Sequence, residues 1–433
     1  MALGGGEFTS FNKKLPGAYH NFVSVAKANV TLGERGYVAM PLAMDWGVDG
    51  EVFTVTSSDF YKKSRSIFGY EYSDDKLKGL RDLFMHAHTV YFYKLGTSAV
   101  KAANDFGEAK YCGVRGNALS IVIKSVNDTQ YEVSTLLDDV IVETQVVDGA
   151  SELIDNDFVV FDKEALLAET AKTPMTGGSN GTINDSAWQE ALTAFEAYNF
   201  NIIGVVSTED EVKNLVVQWT KTMREDIGAK FQVVVYSYAG DHEGVINFAT
   251  SPCGEGEDEA DLVYWVSGKE ASCGVNESCT NAIYDGEYTV KPKLSQAELA
   301  NAIDDGKLVM HRVGDDIRIL KDINSLVTTT VTKGNEFKKN QTIRVIDEIA
   351  MGDATVFNTQ FLGKVPNDSA GRISLWNALV KRRQALQDMR AIEGYLPEHT
   401  VVNAGDTKES VVVDDEITVV NAMEQVYTTT TVA

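Results

Sequence analysis

The sequence predicts a multidomain chain of mixed α/β and α+β class, and three observations carry that prediction. Residues 202–236 run strand, helix, strand at a spacing that favours parallel pairing. Residues 119–147 hold three strand-like runs broken by turn residues. The length, 433 residues, is enough for about two to four domains.

An extended arm is expected first. Residues 1–22 contain three consecutive glycines, Phe8, Phe11 and the turn Pro16-Gly17. Stretched out, such an arm reaches on the order of 60–70 Å. From 23 to 95, strands at 37–42 and 51–55 and a helix near 74–84 make a small α+β unit. From 96 to 172 the pattern turns β, with strands at 119–124, 131–134 and 140–147. Turns fall at Asn127-Asp128 and Asp148-Gly149, as in a small barrel or sandwich.

From 173 to 325 the pattern is α/β. Ser186 and Gln189 form a capping box for a helix ending near Tyr198. A buried strand at 202–207 leads to a helix over 209–227 that stops at Gly228, then to a strand at 231–236. The apolar run 262–266 is expected to continue the sheet, and Ser295 with Glu298 caps a helix to about Asp304. The acidic stretch 254–261 reads as a solvated loop. From 326 come a β pair, a helix near 344–352, a long basic helix over 371–393 and a β-prone tail.

A formal net charge of −24 argues against nucleic acid as a partner, because phosphate binding needs clustered Lys and Arg. Neither a secretory signal nor a membrane span is predicted. The cysteines Cys112, Cys253, Cys273 and Cys279 contain no CxxC pair and read as free thiols. His86 and His88 alternate about Ala87, a spacing more often coincidental than metal-binding. The run 176–181 (TGGSNG) precedes a helix but lacks a following Lys, so it reads as a structural turn rather than a phosphate cradle. That run does not emerge from a clear strand, so no GxSxG elbow is read there, and neither a Walker A sequence nor a GxGxxG after a strand is found. No catalytic residue, cofactor or metal site is therefore expected.

The chain end carries the two candidate surfaces. Over 371–393 the basic residues Arg372, Lys381, Arg382, Arg383 and Arg390 outnumber Asp388 and Glu393. At about 100° per residue, Leu375, Leu379, Leu386 and Met389 share one face, while Arg372, Arg383 and Arg390 form one stripe. That stripe is either a solvated face or a docking surface for an acidic partner. In the tail, Val426, Thr428, Thr430 and Val432 alternate with Tyr427, Thr429 and Thr431, with neither charge nor proline to blunt the strand. It pairs either within its own chain or with a neighbour's sheet.

Across nearly its whole length the chain resembles the tail sheath proteins of phages with contractile tails, in the form found in Gram-positive phages, prophages and tail-like bacteriocins. The resemblance rests on LPGAYHNF (15–22), RGYVAMPLAMDWG (35–47), AKYCGVRGN (109–117), TGGSNG (176–181), DHEGVINF (241–248), YDGEYTV (284–290), VGDDIRILKDINSL (313–326), GKVPNDSAGRISLWNALVKRRQALQDMRAIE (363–393) and NAMEQVYTTTTV (421–432). It implies a structural subunit that stacks in hexameric rings around a tail tube and contracts to drive the tube through a cell envelope. It implies contacts with neighbouring sheath subunits, the tube protein, and baseplate and tail terminator proteins. No nucleic acid, cofactor or membrane binding by the monomer is implied. Location is the virion tail or a bacteriocin particle, assembled in the host cytoplasm. Residues 1–22 and 413–433 become linking arms, with Phe8, Phe11 and the run from Val426 to Val432 as inter-subunit strand residues. Residues 326–412 become the inner, tube-facing domain, with Arg372, Lys381, Arg382, Arg383 and Arg390 as tube contacts. The α/β domain, placed before this α+β C-terminal domain, takes a subtilisin-like topology without a matching triad. The stretch 253–261 departs from the resemblance in being more acidic and cysteine-bearing. A phage-derived bacteriocin or injection particle is the alternative setting, and a stand-alone α/β enzyme the rival function.

Overall fold

The computed structural model describes residues 34–432, so Phe8, Phe11 and the rest of the expected N-terminal arm lie outside the described residues. The chain forms two units, a body of 35–355 with 419–432, and a smaller unit of 356–418.

The body begins with β1 (Tyr37–Ala43), β2 (Val52–Thr56), α1 (Ser57–Phe68), α2 (Lys78–Phe84) and β3 (Thr89–Leu95). A β-rich stretch follows: β4 (Ala103–Asn104), β5 (Gly107–Ala109), β6 (Leu119–Ser125), β7 (Tyr131–Leu137), β8 (Val140–Val147), β9 (Val159–Phe161) and β10 (Thr170–Pro174). The chain then returns to the first sheet through α3 (Asp185–Phe195), β11 (Ile202–Val205), α4 (Asp210–Thr222), β12 (Gln232–Tyr236) and β13 (Val245–Phe248). Next come α5 (Val263–Ser272), α6 (Gln296–Asp304), β14 (Lys307–Leu308), the hairpin β15 (Met310–Val313) and β16 (Asp316–Ile319), and α7 (Asn340–Val356).

One seven-stranded sheet, ordered β14-β13-β12-β11-β1-β3-β2, organises the body. All its pairings are parallel except β2 with β3 at the edge. The parallel pairing expected between 202–207 and 231–236 is observed. Alternate residues face opposite layers, as the pleat requires. Val38, Met40 and Val234 pack with Phe60, Leu83 and Trp265, from α1, α2 and α5. Ala39, Val233 and Val235 pack with Trp188, Phe195 and Val216, from α3 and α4. The units expected at 23–95 and 173–325 thus share this sheet, because β1 pairs with β11 on one side and β3 on the other.

The β-rich stretch has its own core around Ile121, Ile123, Val133 and Phe158. It forms a four-stranded antiparallel sheet (β10-β6-β7-β8) and a three-stranded one (β4-β5-β9). Its far end lies beyond 172, because residues 176, 179 and 182 bridge back to 103, 100 and 97. The β7–β8 hairpin turns on Asp138 and Asp139, both at positive φ, as a two-residue loop between twisted strands requires.

Three local expectations are corrected. The run 262–266 is the start of α5, not a strand. This stretch packs between the sheet and α2, so all five of its positions are apolar and the helical period is invisible. A side chain at Gly268 would collide with the Leu83 carbonyl, so the two helices approach only because that position is glycine. The cap of α3 is Asn184, whose Oδ1 accepts from Ala187 N at 3.0 Å, in place of Ser186. The β pair after 326 is absent: Asp241 Oδ1 takes the amides of Val327 and Thr328 at 2.7 and 2.9 Å. The hairpin of this region is β15–β16, just upstream.

The smaller unit contains α8 (Ser369–Asp388), a short β17 (Ile392–Glu393) and the antiparallel hairpin of β18 (Thr400–Ala404) and β19 (Val411–Asp415). Asp368 caps α8 through Gly371 N.

Candidate assembly surfaces

Helix α7 carries the chain out of the body, and buried charge fastens it there. Arg344 gives Nη1 to Glu270 Oε2 at 2.7 Å and Nη2 to Asp322 Oδ2 at 2.6 Å, and all three side chains are inaccessible or nearly so. One turn on, Asp347 receives both Nη atoms of Arg224 at 2.7 and 2.8 Å. Burial together with the Asp322 charge pushes the Glu270 carboxyl well above the usual carboxylate range. Asp322 is held below its ordinary value despite burial, chiefly by the Arg344 charge. Sequence reasoning missed both anchors. The available signal was Arg344 and Asp347 one turn apart inside the otherwise apolar IRVID run.

The last residues meet this helix and then leave it. Gln341 on α7 donates Nε2 to Val420 O at 3.2 Å and accepts from Ala422 N at 2.9 Å. Glu424 receives Thr280 Oγ1 at 3.2 Å and lies 3.6 and 3.8 Å from the ammonium groups of Lys321 and Lys339. Beyond this clasp, Val426 is 88 %, Tyr427 87 % and Val432 90 % exposed. The expected strand from Val426 to Val432 pairs with no strand of its own chain among the described residues. An uncharged, β-prone stretch held at its root and open to water beyond it can supply backbone donors and acceptors to another sheet.

The basic helix differs from expectation. Leu375, Leu379 and Leu386 are buried as predicted, but Met389 is exposed at the helix end. The Arg372–Arg383–Arg390 stripe does not form. Arg383 is buried and gives Nε to Asp415 Oδ2 on β19 at 2.5 Å. Asp415 also accepts from Thr400 Oγ1 at 2.7 Å, so the hairpin draws this guanidinium inward. Arg382 is buried too. Arg390 lies past the helix with a φ of 62°, which takes it off the helical azimuth. Arg372 is half-buried, with Nη1 on Asn367 O at 3.2 Å. On the open face stand Ile373, Asn377, Lys381 and Gln384, with Lys381 the one cation among them. Periodicity assumed that the helix ran on through Arg390, and it could not say which azimuth the hairpin would cover.

Other residues singled out in the sequence separate. His86 Nε2 meets Asp285 Oδ1 at 3.0 Å and His88 Nδ1 meets Thr89 Oγ1 at 2.8 Å, so the two rings do not converge. The run 176–181 is held in the β-rich part, where Asn180 binds Asp45 Oδ1 at 2.8 Å and Asn117 binds Gly178. Cys273 and Cys279, in contrast, come together with Asp322.

A parallel α/β body with a β-rich insertion, a helix–hairpin unit, and a tail unpaired among the described residues fit a structural subunit built for assembly. Three family models match the chain: the phage tail sheath protein central domain over 181–325, the phage tail sheath C-terminal domain over 332–433, and the tail sheath protein Gp18 domain III N-terminal region over 35–95. Phage-like element PBSX protein XkdK of Bacillus subtilis is 30 % identical, over 98 % of this chain and 99 % of its own. The sheath tail protein of Desulfitobacterium hafniense has a solved structure that superposes with a TM-score of 0.82 at 31 % identity, covering 95 % of this chain and 99 % of that one. The chain belongs to the phage tail sheath family, and its role is that of a sheath subunit. The contracted helical sheath of the anti-feeding prophage shares the fold, with a TM-score of 0.59 at 10 % identity over 97 % of this chain and 99 % of that one.

Proposed function

We propose that the chain polymerises as hexameric rings stacked helically around a tail tube, and that contraction of this lattice drives the tube through a cell envelope. The energy is stored in the metastable extended lattice, and no bond of a substrate is broken. The observation that carries this reading is the run from Val426 to Val432, rooted on α7 and unpaired among the described residues. It is proposed to add as a strand to the β18–β19 hairpin of a neighbouring subunit. That hairpin is two-stranded, and Val412 and Val413 on it are exposed. Residues 1–22, with Phe8 and Phe11, are proposed as the second linking arm.

The tube contact is proposed for the smaller unit, within the 326–412 domain, through Lys381 with Arg372 and Arg390. Arg382 and Arg383, being buried, are proposed to support that surface. Individual exposed pairs contribute about 0–1 kcal/mol each, so a lattice of many copies holds the tube while each contact stays releasable. Subtilisin-like topology is proposed for the 173–325 segment, and the parallel order of its strands supports that reading. Baseplate and tail terminator proteins are the proposed partners at the two ends, in a virion tail or a bacteriocin particle assembled in the host cytoplasm.

Deleting 426–433 tests the central claim. The expected product is a folded subunit that sediments as a monomer under conditions where the full chain polymerises. Full-length polymers from the truncated chain would show that the strand is not the link.

A further inference from the structure

We propose that Cys273, Cys279 and Asp322 form a buried binding site for one thiolate-seeking divalent cation, and the donor set selects zinc. Cys273 ends α5, Cys279 follows six residues later, and Asp322 lies just after β16. Their two Sγ atoms and a carboxylate oxygen of Asp322 all lie within 4.8 Å of one another, and all three residues are buried. Tetrahedral zinc, with bonds of about 2.3 Å to sulfur and about 2.0 Å to oxygen, needs ligand atoms roughly 3.5–3.8 Å apart. The cluster is therefore close to that size before any ion enters.

A second observation points the same way. Glu270 Oε1 and Asp322 Oδ1 are buried and have no hydrogen-bond partner among the described residues. A buried acceptor without a donor is costly, and a coordinated cation removes that cost. Their sister oxygens are already fixed: Glu270 Oε2 and Asp322 Oδ2 both accept from Arg344, and Asp322 Oδ2 also takes Cys279 N at 2.9 Å. Outer hydrogen bonds of this kind orient carboxylates for a metal.

The charges also balance. Arg344 and Arg35, whose Nε donates to Cys273 O at 2.6 Å and Nη2 to Glu270 O at 3.2 Å, offset Glu270 and Asp322. Binding a divalent ion releases the two thiol protons to solvent, so the ion's two charges are met by two thiolates. Two thiolates with a carboxylate suit zinc better than magnesium or calcium, which take oxygen alone. The ion would join the end of α5, the loop of 274–279 and the segment after β16 at the place where Arg344 fastens α7.

The test uses the full chain, purified under reductant without nickel resin or chelator. Elemental analysis should find about one zinc per chain. Zinc should fall at least tenfold in Cys273→Ser and in Cys279→Ser, and stay unchanged in Cys253→Ser. Cobalt(II) added to the metal-stripped wild-type chain should give a thiolate-to-cobalt charge-transfer band with intense tetrahedral visible bands, a readout that needs no variant. Zinc should also shield two of the four thiols from Ellman's reagent. Absence of zinc together with a colourless cobalt titration would overturn the proposal. So would loss of the two thiols to a Cys273–Cys279 disulfide in the isolated chain.

Discussion

Arg344 sits between two buried carboxylates, so its removal strands both. Arg344→Ala is expected to destabilise the body by about 3–5 kcal/mol, because uncompensated buried charge costs more than the ion pair contributes. Urea titration of the purified subunit measures this, and a loss under 1 kcal/mol would show the pair is solvated. Asp82 makes a pH-dependent case. Burial raises its pKa from 3.8 to about 6, against hydrogen bonds from Glu287 N and Tyr284 OH that lower it. A raised pKa means the folded chain keeps a proton that the unfolded chain has released. The contribution is full below pH 3.8 and is lost as pH rises through about 6. Asp82→Asn should flatten the stability profile between those values, checked by urea midpoints at pH 4, 5, 6 and 7.

At the scale of elements, caps and buried faces decide what each segment becomes. Because Asn184 caps α3, Asn184→Ala should cost about 1 kcal/mol, whereas Ser186→Ala should stay within about 0.5 kcal/mol. Comparing the two melting curves separates the observed cap from the one that spacing favoured. In α8 the contrast lies between Arg383 and Lys381. Arg383→Ala leaves Asp415 without its guanidinium and is expected to cost about 1.5–3 kcal/mol. Lys381→Glu should leave stability within about 0.5 kcal/mol while weakening co-sedimentation with tubes. Equal stability losses for the two would contradict the burial assigned to Arg383. The α5 helix shows why a short apolar run misleads. Strand and buried helix both present unbroken hydrophobicity over five residues, and only the length to Ser272 tells them apart.

For the whole molecule the decisive property is a tail satisfied at its root and unsatisfied beyond. Val426→Glu combined with Val432→Glu changes side chains already in water, so the subunit should melt as before. The same pair should prevent polymerisation, because charge on one face of an added strand opposes its burial in a neighbour. Sedimentation velocity reads the outcome, and normal polymers would remove 426–432 from the interface. The sheet spanning β1–β3 and β11–β14 sets another whole-molecule feature. The β-rich stretch is an excursion from that sheet, so the chain leaves after β3 and comes back through 176–182.

The sequence by itself determined the mixed α/β class, the parallel strand–helix–strand core, the β hairpins of 119–147, the capping box at Ser295, the uncharged tail and, through its run of short segments, the sheath family. These features are local, carried by spacing and turn chemistry within a few residues. Tertiary structure alone decided that Arg382 and Arg383 turn inward, that 35–95 and 202–308 share one sheet, and that Cys273, Cys279, Asp322 and Glu270 meet around Arg344. The physical reason is common to all three: periodicity fixes where a side chain points around its own element. Which element covers that direction depends on packing between segments distant in sequence, and no local pattern records it.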